Sequence, residues 1–278
     1  MRKADPPQLV PEVVYDAIST TRRPIAIRDR LRAARPSVVG AYDEYSSNVS
    51  DVTSLSPATT APATAADLRG NYSDSKASRA VRDAILQANT GGRCLFCAAP
   101  AASTIDHYLP REAYPEFSVL PLNLVPACSP CNIKKGTTYA KAGVALFLHA
   151  YLDELGEGTV FLYADVAVLG ADIAASFFVA PPPTIGEPIR SRIVSHFGHL
   201  ALAEVYAAEA TSEIGMRREA IATQLRGGGV QLARAYLQQE ASSTAYRMGL
   251  NHWRAALLRA MAESDEVCSG AFLDPSGH

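Results

Sequence analysis

Residues 94–136 read CLFCAAPAASTIDHYLPREAYPEFSVLPLNLVPACSPCNIKKG, and no pattern of apolar packing accounts for that run. It holds two Cys-x-x-Cys pairs, Cys94 with Cys97 and Cys128 with Cys131, and thirty residues separate them. Four thiolates delivered as two tight knuckles suit a tetrahedral zinc ion with little backbone strain, and a closed four-sulfur shell leaves no coordination position open for catalysis. The expectation is therefore a structural zinc that staples the loop. Four of the five cysteines lie in these pairs, which fits a metal site in a reducing compartment better than a disulfide framework. Cys268, the fifth, is expected to be a plain buried or tail thiol.

Any chemistry must then come from inside the loop. Asp106-His107 follows the apolar Ile105, as at the end of a short strand. A histidine with an ordinary pKa near 6.5 can take a proton from water at neutral pH, and an adjacent aspartate can hold a hard divalent cation. Asn123 and Asn132 add neutral oxygen groups. One of them can accept the imidazole N–H and fix its tautomer, and the other can complete the cation site.

In order, C-x-x-C, I-D-H-Y-L-P and L-N-L-V-P-A-C-S-P-C-N-I-K-K-G closely resemble the HNH endonucleases over roughly residues 90–140. The core of that family is a two-stranded antiparallel ribbon and a helix around one catalytic metal, the ββα-metal fold. The resemblance implies that His107 is the general base activating water for in-line attack on a phosphodiester. It implies that Asp106 and Asn132 are ligands of the catalytic cation and that Asn123 orients the base. Lys134 and Lys135 fall where phosphate-contacting lysines are common in the family. Cleavage of this kind leaves a 5′-phosphate and a 3′-hydroxyl, with the metal stabilising the leaving oxygen.

Two departures from the family's pattern stand out. Residues 110–121, with three prolines, replace a Gly-rich turn, and this insert is similar to a branch of bacterial anti-phage nucleases. Asn132 stands where many members have a final His. An amide oxygen suits a hard ion such as Mg²⁺ or Mn²⁺ and argues against a catalytic site that works with zinc alone. The staple and the catalyst are thus expected to be different metals.

Working outward, residues 75–89 carry Ala77, Ala80, Val81, Ala84, Ile85 and Ala88 at helical spacing, and Gly91 or Gly92 can take the left-handed conformation that ends the helix just before Cys94. Residues 21–36 hold six arginines against Asp29, and the spacing predicts a short helix after Pro24, read either as a solvated face or as a phosphate-contacting arm. Residues 46–66, rich in Ser, Thr, Ala and Pro, read as a linker. Beyond Gly136, the pattern predicts a helix over 139–155 and strands over 159–168 and 176–179. Helices are predicted over 189–210, 212–225, 230–241 and 246–263, with a break at Gly227–Gly229 and an irregular tail from Ser264. The fold class expected is α+β, a small ββα-metal core with a four-cysteine zinc site in a mostly helical protein. Its domains would be an N-terminal segment (1–70), the nuclease module (71–140) and a helical regulatory or interaction region (141–278).

The 278 residues are 48% hydrophobic and 19% charged, which suits a globular chain and excludes global disorder. No run approaches the length of a membrane span and the N-terminus has no apolar leader, so a cytoplasmic protein without a membrane partner is expected. A net charge of −2 gives no bulk attraction to nucleic acid. The expected partners are nucleic acid, DNA before RNA, and a controlling protein such as an ATPase or sensor. The alternatives are an RNase using the same site and a non-catalytic zinc-ribbon binding module. His149, His196, His199 and His252 read as packing or surface histidines, and Tyr236, Tyr246 and Trp253 as core residues at helical spacing.

Overall fold

The structure, a computed structural model, describes residues 3–48, 51–58, 60–72, 75–141, 143–156 and 158–273. Parts of the expected linker (49–50 and 59) and of the expected tail (274–278) lie outside the described residues. The chain divides into two compact units, one of residues 3–96 and 100–154, the other of 97–99 and the residues from Leu155 onward. The protein is mixed α+β and mostly helical, with small antiparallel sheets and a buried four-cysteine cluster.

In the first unit, α1 (Pro11–Ser19) starts on a proline, whose missing N–H costs nothing in a first turn, and buries Val14, Tyr15 and Ile18. The helix expected after Pro24 forms, but α2 (Ile25–Ser47) does not end at Pro36. Val38, Tyr42 and Tyr45 recur at four- and three-residue spacing and are fully buried, and their burial offsets the bond that Pro36 cannot donate. Within α2, Leu31 is buried while Ile25, at its start, is exposed. The linker is likewise partly ordered. A short 3₁₀ turn spans Val52–Ser54, and α3 (Pro62–Gly70) begins inside it, burying Leu68 and pairing Asp67 with Arg30 at 2.6 Å.

The expected helix before Cys94 is α4 (Lys76–Ala88), capped by Ser75, whose Oγ accepts the Ser78 N–H at 3.1 Å. Gly91 and Gly92 after it have φ of 93° and 61°, the left-handed values that turn the chain into the first knuckle. Strands β1 (Thr104–His107) and β2 (Leu124–Ala127) pair antiparallel, with Asp106 opposite Val125 and His107 opposite Leu124. Helix α5 (Ser129–Lys135) follows and packs on β1. Ile85 of α4, Ile105 and Leu124 form a small core with Val81, Leu86, Leu9 and Tyr72 against it, so α4 seats the ribbon.

The helix expected over 139–155 does not form. The chain instead makes a two-residue hairpin, β3 (Ala140–Lys141) with β4 (Val144–Ala145), turning at Gly143 with φ 78°, and then an irregular run. Leu146–Tyr151 are buried without a polar face, so no solvated helix surface is available. Side chains satisfy the backbone instead. Tyr108 Oη donates to Phe147 O at 2.8 Å, Tyr151 Oη to Leu124 O at 3.0 Å, and Asp153 Oδ2 accepts the His149 N–H at 2.9 Å.

In the second unit the two expected strands form one hairpin, β5 (Leu162–Leu169) with β6 (Asp172–Val179), the first starting three residues later than expected and the second starting four residues earlier. Helices α6 (Ile189–His199), α7 (Leu202–Met248), α8 (Trp253–Glu263) and α9 (Asp265–Ser269) follow. The break predicted at 211 falls instead at Ala201, which has φ 50°. The break at the glycines is real: Gly228 and Gly229 are non-helical and kink α7. Tyr246 is exposed, contrary to expectation, because it lies near the free end of α7, whereas Trp253 is buried and Tyr236 accepts a hydrogen bond from Arg217 at 3.0 Å. The tail is not wholly irregular, since Ser264 Oγ accepts the Val267 N–H at 3.2 Å and starts α9. No helix among the described residues is long and apolar enough to cross a membrane.

Candidate metal centre and cleft

The first knuckle is a tight turn closed by a bridge between Arg93 and Ala101, with the Cys94 N–H donating to Pro100 O at 3.0 Å. Ala98 takes φ 58°, the left-handed step that folds the turn back. The Leu95 N–H donates to Pro126 O at 3.0 Å and ties this turn to β2. The second knuckle begins at Cys128, the N-cap position of α5, and Cys131 lies within that helix. The four sulfurs lie within 4.8 Å of one another, and all four residues are buried. A tetrahedral shell with metal–sulfur bonds of about 2.3 Å has sulfur–sulfur edges of about 3.8 Å, so this group can hold a metal ion. Cys268 is a separate buried thiol beside the carbonyls of Met261 and Ala262, each 3.5 Å away, and burial pushes its pKa up.

Asp106, His107 and Asn132 line one cleft of about 310 Å³. β1 supplies the first two and α5 the third. The Asn132 amide donates to Thr104 Oγ1 at 3.1 Å, which pins α5 to the strand. His107 is half-buried, and its Nε2 lies 2.9 Å from Ser118 O. A carbonyl can only accept, so Nε2 carries the proton and the neutral ring keeps its lone pair on Nδ1. Packing around the ring pushes His107 down to about 4 against the partial support of that carbonyl, so the neutral form holds at physiological pH. Burial pushes Asp106 the other way, up to about 6, against the pull of Lys135.

Two of the expected roles change. Asn123 is fully buried and does not serve the imidazole. Its Oδ1 accepts the Leu109 N–H at 2.8 Å and its Nδ2 donates to Leu109 O at 3.0 Å and Phe117 O at 3.2 Å. It therefore fastens the loop from Leu109 to Phe117, and the Ser118 carbonyl at the end of that loop meets the histidine. Lys135 is buried rather than offered to a phosphate. Its Nζ donates to His107 O at 2.7 Å and lies 2.8 Å from Asp106 Oδ1. The contact with Oδ1 is a charge pairing more than a well-aligned hydrogen bond, since the same atom has no geometrically acceptable donor. Lys134, its neighbour, is exposed.

Tyr72 and Arg111 line the cleft although no motif pointed to them, and Arg82 lies against the Tyr72 ring. Tyr72 lies edge-on to His107 with ring centroids 4.4 Å apart, and the guanidinium carbons of Arg82 and Arg111 lie 5.3 Å and 5.7 Å from the Tyr72 ring centre. Burial raises the Tyr72 hydroxyl, with both arginines pulling it down. Arg111 and Glu112 sit in the proline-rich insert and line the cleft with Tyr72. The remaining histidines do not gather into a metal group among the described residues. His149 is buried 3.0 Å from Tyr45 Oη, His196 is buried, His199 is exposed, and His252 caps α8 by accepting the Arg254 N–H.

No family model matches this chain, and no solved structure is similar to it. The chain resembles protein ea31 of Escherichia phage lambda, with 30% identity over 194 residues, a stretch that covers 66% of this chain and 65% of the phage protein.

Proposed function

We propose that this chain is a metal-dependent endonuclease of the HNH type that hydrolyses phosphodiester bonds, with DNA as the preferred substrate. The observation that carries this reading is the state of His107. Its ring is held neutral, with Nε2 committed to Ser118 O at 2.9 Å and Nδ1 left as a proton acceptor, in the same cleft as the Asp106 carboxylate and Asn132. A purely structural ribbon has no use for such a base.

Asp106 and Asn132 fit a hard divalent cation, since Mg²⁺ is commonly bound by one or two protein oxygens with waters and substrate phosphate completing its shell. When bound, such an ion stabilises charge on the leaving oxygen of a phosphodiester. His107 takes the proton of the attacking water as the new P–O bond forms. The bond to the 3′ oxygen breaks, which gives a 5′-phosphate and a 3′-hydroxyl. Lys135 keeps Asp106 in its charged form, and Asn123 acts by holding the loop that fixes the His107 tautomer. Zinc is the proposed occupant of the four-cysteine group, with a purely structural duty. Net charge of −2 gives no bulk attraction to DNA, so control by a partner, an ATPase or a sensor, belongs to the same proposal.

The test is cleavage of plasmid DNA and of RNA with Mg²⁺ or Mn²⁺, wild type beside His107→Ala, with and without the products of neighbouring genes. Nicking by the wild type that disappears in His107→Ala is expected. Equal cutting by both proteins, or cutting by neither in any mixture, overturns the assignment and leaves a binding module.

A further inference from the structure

We propose that Arg82 and Arg111, gathered over Tyr72 beside His107, grip backbone phosphates of the nucleic acid next to the scissile bond and do so without reading its bases; this rests on the endonuclease reading. The cleft's own acids make such a grip necessary. Asp106 and Glu112 both line it, and a polyanion approaching two carboxylates needs compensating charge. Lys135 cannot supply it, because it is buried and spent on Asp106. Arg111 lines the cleft, and its contact with the neighbouring Glu112 is a long 3.4 Å between exposed side chains, worth little in water. Arg82 comes from the middle of α4 and meets the same ring from outside the motif. Guanidinium groups offer the planar forks that match phosphate oxygens.

Tyr72 decides what is recognised. An aromatic side chain in a nucleic-acid cleft ordinarily invites a base to stack. Here the ring carries two guanidinium groups and meets His107 at its edge, so the aromatic contacts are already made within the protein. The ring is a post that sets two cations at a fixed distance from the base, and contact through phosphates positions the substrate without conveying sequence.

The experiment is fluorescence anisotropy of the full chain with short DNA duplexes of two unrelated sequences, and an RNA duplex in parallel, in chelator-free buffer with no added Mg²⁺ or Mn²⁺, so that nothing is cut and the four-cysteine group keeps its metal. Wild type is expected to bind both DNA sequences alike. In Arg82→Gln and Arg111→Gln the slope of log affinity against log salt should shrink by about one each, and by about two in the double variant. Arg226→Gln, an exposed arginine paired with Glu219 in the other unit, should leave the slope alone. Independently of folding, phenylglyoxal labelling of wild type should find Arg82 and Arg111 protected when duplex is present. Unchanged slopes in a folded double variant, labelling that ignores the duplex, binding confined to one sequence, or no binding by wild type overturns the proposal. Cleavage that persists with unchanged slopes removes the clamp and leaves the nuclease. Binding and protection without cleavage under any metal removes the nuclease and leaves the clamp.

Discussion

Lys135 Nζ lies 2.8 Å from Asp106 Oδ1, and both side chains are closed to solvent. A buried pair of this kind contributes little relative to a well-packed apolar pair, yet removing one partner strands the other's charge at a cost of roughly 3–5 kcal/mol. Lys135→Met should therefore destabilise the chain by about that amount at neutral pH, whereas Lys134→Met on the exposed neighbour should change stability by less than about 0.5 kcal/mol. The penalty should shrink at acid pH, where Asp106 becomes neutral by taking up a proton. The double variant Asp106→Asn/Lys135→Met should recover much of the loss. Urea unfolding of the four proteins measures this, and a Lys135→Met protein as stable as wild type at pH 7 would refute the pairing.

The contrast between these two lysines shows what the sequence conveyed and what it did not. The four cysteines were legible because a knuckle imposes a fixed spacing on its ligands, Asn132 stood out because it directly follows the second knuckle, and Asp106 and His107 stood out as an adjacent acid and imidazole inside the loop. Lys135 looked like a surface lysine beside another. One signal was present: Lys135 stands three residues after Asn132 and four after Cys131, so helical geometry puts it on the inward face with them, while Ile133 and Lys134 point out and are exposed. Tyr72 and Arg82 carried no such signal, since only tertiary packing brings Tyr72 into the cleft beside His107 and sets Arg82 of α4 over its ring. The run from Leu146 to Tyr151 failed differently. A continuous apolar stretch has no period from which to tell a buried helix from an irregular buried segment.

Removal of the zinc proposed for the four-cysteine group should unfold the ribbon. With two knuckles and no disulfide among the cysteines, about one zinc per chain is expected from metal analysis. Cys128→Ser should lose it along with the circular-dichroism melt of the first unit, because structural zinc contributes directly to folding free energy. A chain purified without any transition metal yet melting like the zinc-loaded form would show that the cluster staples nothing.

Asn123 offers a separation of position from chemistry. Its side chain bonds both the N–H and the C=O of Leu109, at 2.8 Å and 3.0 Å, inside a fully buried site. Asn123→Ala strands those backbone groups, each at roughly 1–3 kcal/mol. A fall in melting temperature is expected, together with loosening of the loop that carries Ser118. His107→Ala removes a half-buried ring and should cost far less. Amide hydrogen exchange across residues 109–118 reads the difference, and equal protection in Asn123→Ala and wild type would contradict it.

Glu116 should make the protein less stable as the medium becomes more alkaline. Its Oε1 accepts the Ala58 N–H at 2.8 Å, its Oε2 is buried without a partner, and burial raises its pKa above the ordinary carboxylate value. The native state then holds a proton that the unfolded chain releases at the ordinary pKa. This contribution is fully present below that value and is lost as pH rises through the raised one. Glu116→Gln keeps the shape without the titration. Relative to wild type, the variant should gain melting temperature from acid to neutral pH, and a constant difference between the two proteins across that range would sink the assignment.

The kink in α7 rests on one glycine more than on its neighbours. Gly229 has φ 70° and ψ −164°, a region essentially closed to residues with a Cβ, at a cost of roughly 1–3 kcal/mol. Gly227 stays within the helical span, and an added Cβ there meets only Leu232 Cδ2 at 3.8 Å, an ordinary contact. Two substitutions of the same chemistry should thus have opposite signs. Gly227→Ala should stabilise by about 0.5–1 kcal/mol through backbone entropy, and Gly229→Ala should destabilise by about 1–3 kcal/mol. Thermal melts of the two variants decide the matter, and a stabilising Gly229→Ala would mean that α7 runs straight through residues 227–229 in solution.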